Sequence, residues 1–332
     1  MRNILCVTLI ALLGGCTSTS VTEKYQDKRN DIINVKDKVI EFETGNVLIG
    51  SVSRLYMSNK CLLIADHKSV DKQIHIFNKN DFSYLTSIGN FGEGPEEITV
   101  MGCLAIDEAH HQLYVSDHAK QKIFSYDIDS VMVYSLYKPQ VKTAMNETLF
   151  PSEYQYINDT LSIAVLIKPT STSTFNQFLG RWNMNTGEMI PMKYTHPDIQ
   201  KKRITFAASE KAGIYVECYT RHDLMTICSL DGELLYNIYG PDWDGGNGNK
   251  LQSFGTVMIG NDKIFVSYCG EDYARDSFPT KILVFDLEGN YLKTLETGYK
   301  ISDCCYDSFN NRIILSLNDV VQFAYLDIDG II

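Results

Sequence analysis

Three short stretches of this chain gather side chains able to grip a ligand. The first supplies Phe91, Glu93, Glu96 and Glu97, within Phe91-Gly92-Glu93-Gly94-Pro95-Glu96-Glu97. The second supplies Asp242, Trp243 and Asp244, and the third Glu271, Asp272, Tyr273, Arg275 and Phe278. Aromatic rings beside carboxylates can stack on a sugar or peptide and hydrogen-bond it. For any one of these residues the plainer reading is that Gly, Asp and Glu keep a surface loop solvated. A catalytic alternative, a metal-dependent lactonase-like hydrolase, needs carboxylate and amide ligands converging on a divalent ion. Glu97, Glu153 and Asp303 could contribute to such a set, but no asparagine in a matching position completes it. Asp66-His67 and Asp117-His118 recur at equivalent strand ends. A repeated Asp there caps its own turn; a His pair binding metal is the alternative. His110-His111 reads as an exposed corner. The chain has no HExxH, no GxSxG, no phosphate-cradling glycine loop followed by Lys, no CxxC and no His/Cys set with zinc spacing. The sequence therefore assigns no catalytic residue, no metal ligand and no cofactor.

What must position these stretches is a repeat. A polar–apolar–polar corner follows a β-branched and aromatic strand six times, at Asn78-Lys79-Asn80-Asp81, Asp127-Ile128-Asp129-Ser130, Asn183-Met184-Asn185-Thr186-Gly187, Ser229-Leu230-Asp231-Gly232, Asp286-Leu287-Glu288-Gly289 and Asp327-Ile328-Asp329-Gly330. Asn, Asp and Gly tolerate the left-handed backbone of such corners, so each copy reads as a β-hairpin. Successive corners lie 41 to 57 residues apart. A period of that size, with strands on both sides, predicts an all-β fold: a six-bladed β-propeller of four-stranded antiparallel blades.

With strands labelled a to d from the axis outward, blade 1 is expected at 53–57, 61–65, 73–77 and 82–88. Blade 2 is expected at 101–107, 112–116, 122–127 and 131–137, blade 3 at about 153–194, blade 4 at 203–239 and blade 5 at 254–296. Blade 6 begins at Ile301 and runs out one strand short. An edge left unpaired there would invite association. The alternating segment Lys38-Val39-Ile40-Glu41-Phe42-Glu43 is expected to fill the gap and close the ring. In a propeller the d-to-a and b-to-c connections share one face. Nearly all the long loops belong to that set: 89–100, 138–152, 195–202 and 240–253, with 66–72, 168–176 and 269–280. Long loops on a rigid scaffold are where binding resides, so this face is the expected working surface.

The chain opens with a charged residue, Arg2, a short apolar run from Ile4 to Leu13, and Leu13-Gly14-Gly15-Cys16. Ten apolar residues are too few to span a bilayer, so the segment reads as a cleaved signal. Small residues directly before a cysteine resemble the lipobox of bacterial lipoproteins. That resemblance implies cleavage before Cys16 and lipid on it; an ordinary secretory signal is the alternative. The expected organisation is a signal peptide at 1–15, a flexible polar tether at 16–37 and the propeller at 38–332. Loss of residues 1–15 removes one basic side chain, leaving 29 basic against 41 acidic and a net charge of −12. An acidic surface repels phosphate backbones, which argues against nucleic-acid binding. Seven cysteines remain beyond Cys6 and Cys16, scattered through strands and unlike a disulfide framework. Cys218 and Cys228 could face each other across a hairpin, and Cys304-Cys305 could form a strained vicinal bridge; buried thiols are the expected state.

Leu62-Leu63-Ile64-Ala65-Asp66 followed by Gln73-Ile74-His75-Ile76-Phe77 resembles an NHL repeat, as does Leu113-Tyr114-Val115-Ser116-Asp117 followed by Lys122-Ile123-Phe124-Ser125-Tyr126. The loop Gly92-Glu93-Gly94-Pro95-Glu96-Glu97 is similar to the G-x-G-P-G-E loop of TolB-like, NHL-like six-bladed propeller lipoproteins of Bacteroides-group bacteria. It departs from them at Glu96, where Gly is usual, and at Ile98, where an aromatic is usual. The resemblance implies a cell-envelope protein anchored by lipid to a membrane, the outer membrane above all. The function expected is a non-catalytic binding or interaction module for a glycan, peptide or protein.

Overall fold

The computed structural model describes residues 22–332 apart from 135, 201, 247, 249 and 276. Three short strands come first, β1 (Glu23–Tyr25), β2 (Ile32–Asn34) and β3 (Val39–Glu41). Blade 1 is β4 (Ser53–Met57), β5 (Cys61–Asp66), β6 (Lys72–Asn78) and β7 (Tyr84–Asn90). Blade 2 is β8 (Met101–Asp107), β9 (Gln112–Asp117), β10 (Lys122–Asp127) and β11 (Gln140–Ala144). Blade 3 is β12 (Phe150–Asn158), β13 (Leu161–Pro169), β14 (Phe175–Trp182) and β15 (Met189–Pro191). Blade 4 is β16 (Ile204–Ser209), β17 (Ile214–Tyr219), β18 (Leu224–Ser229) and β19 (Leu234–Tyr239). Blade 5 is β20 (Leu251–Gly260), β21 (Lys263–Asp272), β22 (Lys281–Asp286) and β23 (Tyr291–Glu296). Blade 6 is β24 (Ile301–Asp307), β25 (Arg312–Leu317) and β26 (Phe323–Asp327), completed by β3. The fold is the expected six-bladed propeller.

Side chains alternate along each strand, so both faces of every blade are apolar and each seam between blades has its own core. Leu63, Ala65, Ile74 and Ile76 of blade 1 meet Leu104, Leu113 and Val115 of blade 2. Leu62, Ile64 and Phe77 turn the other way, onto Ile314 and Phe323 of blade 6. Beside that last seam β3 joins blade 6. Val39, Ile40 and Glu41 pair antiparallel with Leu326, Tyr325 and Ala324, and Phe42 stacks on Phe82 with ring centroids 3.9 Å apart. The N-terminal strand closes the ring as its pattern predicts.

The recurring corner is an Asx turn. The side chains of Asn78, Asn183, Asp286 and Asp327 each accept a hydrogen bond from the backbone N–H two residues on, at 2.9–3.0 Å. Gly187 and Gly289 then take φ of 77° and 81°, which a side chain would oppose. Blade 2 departs from the rule. Its corner is a helix, α1 (Ile128–Val133), capped by Asp127, whose carboxylate accepts from Ser130 N at 2.6 Å. Ile128 and Val131 bury one helical face, so the outer strand expected at 131–137 lies instead at β11, inside what the loop lengths suggested was connection.

The segment expected to be a flexible tether is corrected too. From residue 22 onward it is a strap bound to the outside of the ring. β1 adds a parallel fifth strand to blade 4, with Glu23 opposite Asn237, and β2 does the same for blade 5, with Ile32 opposite Thr294. Between them the Arg29 side chain inserts: Nη1 lies 2.8 Å from Asp223 Oδ1, and Phe254, Tyr268 and Phe285 place their rings 5.3–5.8 Å away. The signal segment, Cys16 and the rest of 16–21 lie outside the described residues. All seven described cysteines are free and buried. Cys218 lies opposite Met225 and Cys228 opposite Tyr215, so the two thiols are not cross-strand neighbours. Cys304 and Cys305 point into different seams.

Candidate binding face and central channel

The inner strands β4, β8, β12, β16, β20 and β24 enclose an axial channel of about 1560 Å³. It runs from Phe91, His118 and Phe278 at the long-loop end to Glu108 and Ile157 at the other. Apart from the α1 connection, the longest loops frame the first end, while the corners of the opposite face span six residues or fewer.

Inside the channel Arg54 of blade 1 and Glu153 of blade 3 form an ion pair, Nη1 to Oε1 2.8 Å. Their side chains are 47 % and 37 % exposed, so channel water reaches both and the pair contributes at most about 1 kcal/mol to folding. Burial by itself would lower the guanidinium pKa; Glu153, Tyr56 and Asp303 outweigh it and hold Arg54 charged. Asp303 of blade 6 is spent differently. Its Oδ2 accepts from Leu55 N at 2.8 Å and its Oδ1 from Thr256 Oγ1 at 2.7 Å, stitching blades 6, 1 and 5 together. Burial pushes its carboxyl pKa upward against those hydrogen bonds. Glu97 does not join them. It turns into its own loop, where Oε2 accepts from Gly94 N at 2.8 Å, while Lys120 Nζ bonds its backbone oxygen at 2.6 Å. The three carboxylates of the hydrolase reading are thus one loop brace, one interblade tie and one half of an ion pair.

His67 and His118 both line the channel but do not face each other. His67 Nδ1 donates to Met101 O of blade 2 at 3.3 Å, whereas the His118 ring meets Phe150 of blade 3. Burial lowers both imidazole pKa values, so both rings are neutral near pH 7. The Nδ1–H of His67 is committed to that carbonyl, which leaves Nε2 a bare acceptor; it has no partner, nor has His118 Nε2. Gln73, 2 % exposed, likewise lines the channel with Oε1 unpartnered.

The loop residues picked from the sequence fall into two groups. Those of 240–250 and 271–278 sit together on blades 4 and 5; the Phe91 loop, on blade 1, lies on the opposite side of the ring. Phe91 is 45 % exposed at the channel rim, Glu93 is exposed, and Glu96 pairs with Lys138 at 2.9 Å. Trp243 is not a free platform. It packs on Tyr239, His196 and His222, with ring centroids 5.0, 5.7 and 5.9 Å away. Asp242 accepts from Tyr268 OH at 3.3 Å, and Asp244 lies 3.7 Å from His222 Nδ1. The Arg221 guanidinium covers the Tyr273 ring, 3.1 Å from its centroid, and Arg275 pairs with Glu271 at 3.0 Å. Arg54 escaped the sequence reading, although it is the second residue of the inner strand β4 and pairs with Glu153 of the inner strand β12.

Among the described residues one group has metal-ligand spacing, Asp107, His110 and Asp159, on the short-corner face. Asp107 is already occupied, accepting from His110 N, His110 Nδ1 and Tyr114 OH at 3.1, 2.8 and 3.2 Å. In blade 6 Asp307 holds Asn310 N and Nδ2 in the same way, at 3.3 and 2.7 Å. His110 is thus the counterpart of a structural asparagine. Among the described residues no helix is long and apolar enough to cross a membrane.

Residues 17–179 match the model of the DUF5128 family, described as a 6-bladed beta-propeller. No curated protein matches the chain. Similar solved structures include a DUF4221 family member from Bacteroides vulgatus, at 11 % identity and TM-score 0.64, covering 90 % of this chain and 98 % of that one. A Bacteroides fragilis protein inferred to be exported is 14 % identical with TM-score 0.57, covering 89 % and 87 %. The Cps50 (Swd1) propeller domain of Myceliophteria thermophila is 9 % identical with TM-score 0.53, covering 85 % and 98 %. At these identities the likeness is one of fold, and with the family match it makes this chain a six-bladed β-propeller similar to propellers of Bacteroides.

Proposed function

We propose that the protein is a lipid-anchored propeller of the cell envelope, held through Cys16 at the outer membrane, which acts as a non-catalytic binding module through its long-loop face. Its ligand is a glycan, peptide or protein and not a nucleic acid. The observation that carries this reading is the channel: wide and open beneath the long loops, with Arg54 and Glu153 paired to each other and Asp303 spent on hydrogen bonds between blades. The TolB-like, NHL-like resemblance and the inferred export of one Bacteroides neighbour support the address. Replacing Cys16 by Ala is expected to leave an uncut precursor or a protein released from membranes. Membrane fractionation that survives this change, after salt and carbonate washes, contradicts the anchor. For the face, glycan and peptide arrays are probed with variants of the long loops and with His111→Ala on the short corners. Loss from the short-corner variant as large as that from the loops contradicts the assignment.

A further inference from the structure

The channel offers two things that the loop rim does not. Arg54 uses one nitrogen on Glu153, and the rest of its fork faces a channel that water enters. A half-accessible guanidinium and carboxylate side by side present donors and acceptors a hydrogen-bond length apart, with their charges cancelled. Two adjacent hydroxyl groups match that pattern, one accepting from the guanidinium and the other donating to the carboxylate. A lone anion or cation would meet repulsion from one of the partners. The His67 ring lies near the pair and its Nε2 lacks a partner, in a cavity lined by polar and apolar side chains alike. At the rim the exposed ring of Phe91 and the ring of Phe278 come from different sides of the opening.

We propose that the long-loop end of the channel is a carbohydrate subsite that receives the end of a neutral oligosaccharide, with Arg54 and Glu153 bonding vicinal hydroxyls of the inserted residue and Phe91 stacking on the residue that follows. This rests on the long-loop face being the binding face. The channel volume of about 1560 Å³ exceeds that of a single sugar residue several-fold, so the chain end enters with its hydration or with a second residue. Because the bonded pair is neutral overall, affinity should change little between low and high salt, unlike binding to a field of single sign.

The full chain, in detergent micelles, is applied to an array of neutral oligosaccharides, uronic-acid oligosaccharides and synthetic peptides, alongside Arg54→Gln, Glu153→Gln, Phe91→Ala and the short-corner control His111→Ala. Far-UV circular dichroism and thermal melts check folding. Phe91→Ala removes an exposed ring and keeps the test decisive where a channel variant fails to fold. The expected result is binding to neutral glycans that falls at least tenfold in Arg54→Gln and Glu153→Gln and several-fold in Phe91→Ala, and persists in His111→Ala and in high salt. Binding to peptides alone, or to uronic-acid glycans alone, overturns the carbohydrate class and leaves the face reading standing. Glycan binding that survives Arg54→Gln, Glu153→Gln and Phe91→Ala overturns the channel subsite. Absence of binding to every spot overturns the subsite and the face reading together.

Discussion

Replacing Arg29 by Met should be among the most destabilising single changes in the strap. Arg29 carries its charge into the seam between blades 4 and 5, its side chain 8 % exposed, against an Asp223 side chain that is fully buried. Asp223 also accepts from Asp242 N at 3.2 Å, and its carboxylate occupies the space a Cβ at Gly240 would need, so it cannot swing out to water. Burial pushes the Asp223 carboxyl pKa upward, and Arg29 is the largest opposing influence. Met keeps most of the stem volume among the three rings and removes the charge, which isolates a buried carboxylate. Breaking such a pair by removing one partner costs about 3–5 kcal/mol. At roughly 2 °C per kcal/mol for a domain of this size, the melting temperature should fall by about 6–10 °C. The sign with pH follows from the raised pKa. A carboxyl whose folded pKa exceeds its unfolded value loses stability as pH rises between the two, so the penalty in Arg29→Met should be smaller near pH 4 than near pH 7. Adding Asp223→Asn should recover most of the loss, because no unpaired charge then remains. Chemical unfolding of the single and double variants measures this directly. A loss below about 1 kcal/mol for Arg29→Met, or a double variant no better than the single, refutes the claim that the strap is held by a buried ion pair.

Other outcomes follow from the same contacts. Trp243→Ala should cost about 2–4 kcal/mol in unfolding experiments, because the indole packs on Tyr239, His196 and His222; an effect on ligand binding with unchanged stability contradicts this. Burial lowers the pKa of His67, His75, His118, His196 and His222, so the unfolded chain takes up protons first as pH falls below about 6.5. Stability should therefore drop between about pH 7 and pH 5, and proton uptake on unfolding at pH 6, read by calorimetry in buffers of different ionisation enthalpy, should be positive. Deleting residues 17–44 should cause severe loss of folding, since blades 4, 5 and 6 each lose a strand and the ring loses its closure; a deletion variant with a near-native melt is the contrary result.

The parts of this fold legible in the sequence are those governed by local chemistry repeated many times. A side-chain acceptor two residues before a free N–H makes the same corner in blade 1 as in blade 6, and strand alternation makes the same seams. Blade 2 escaped because Asp127 can cap a helix as readily as it can start a turn. The spacing of Ile128 and Val131, three apart, was the available signal. The strap escaped for a different reason. Glu23 and Arg29 read as solvent-loving residues of a linker, and their burial depends on Asn237, Tyr239 and Asp223, about two hundred residues away. The channel pair is equally non-local, since Arg54 and Glu153 meet only because the ring brings blades 1 and 3 around blade 2. Trp243 looked like a ligand platform because composition shows an aromatic in an acidic loop but not the three rings beneath it.

The central claim is that this propeller binds at its long-loop end and performs no chemistry there. Hydrogen exchange of the full chain with and without a glycan selected on the array tests it most directly. The account predicts slowed exchange in the loops at 66–72, 89–100 and 269–280 and in the first residues of β4 and β12, no change at the short corners, and recovery of the glycan intact. Protection confined to the short-corner face or the outer strands, or a glycan cleaved in a reaction that chelator stops, would contradict it.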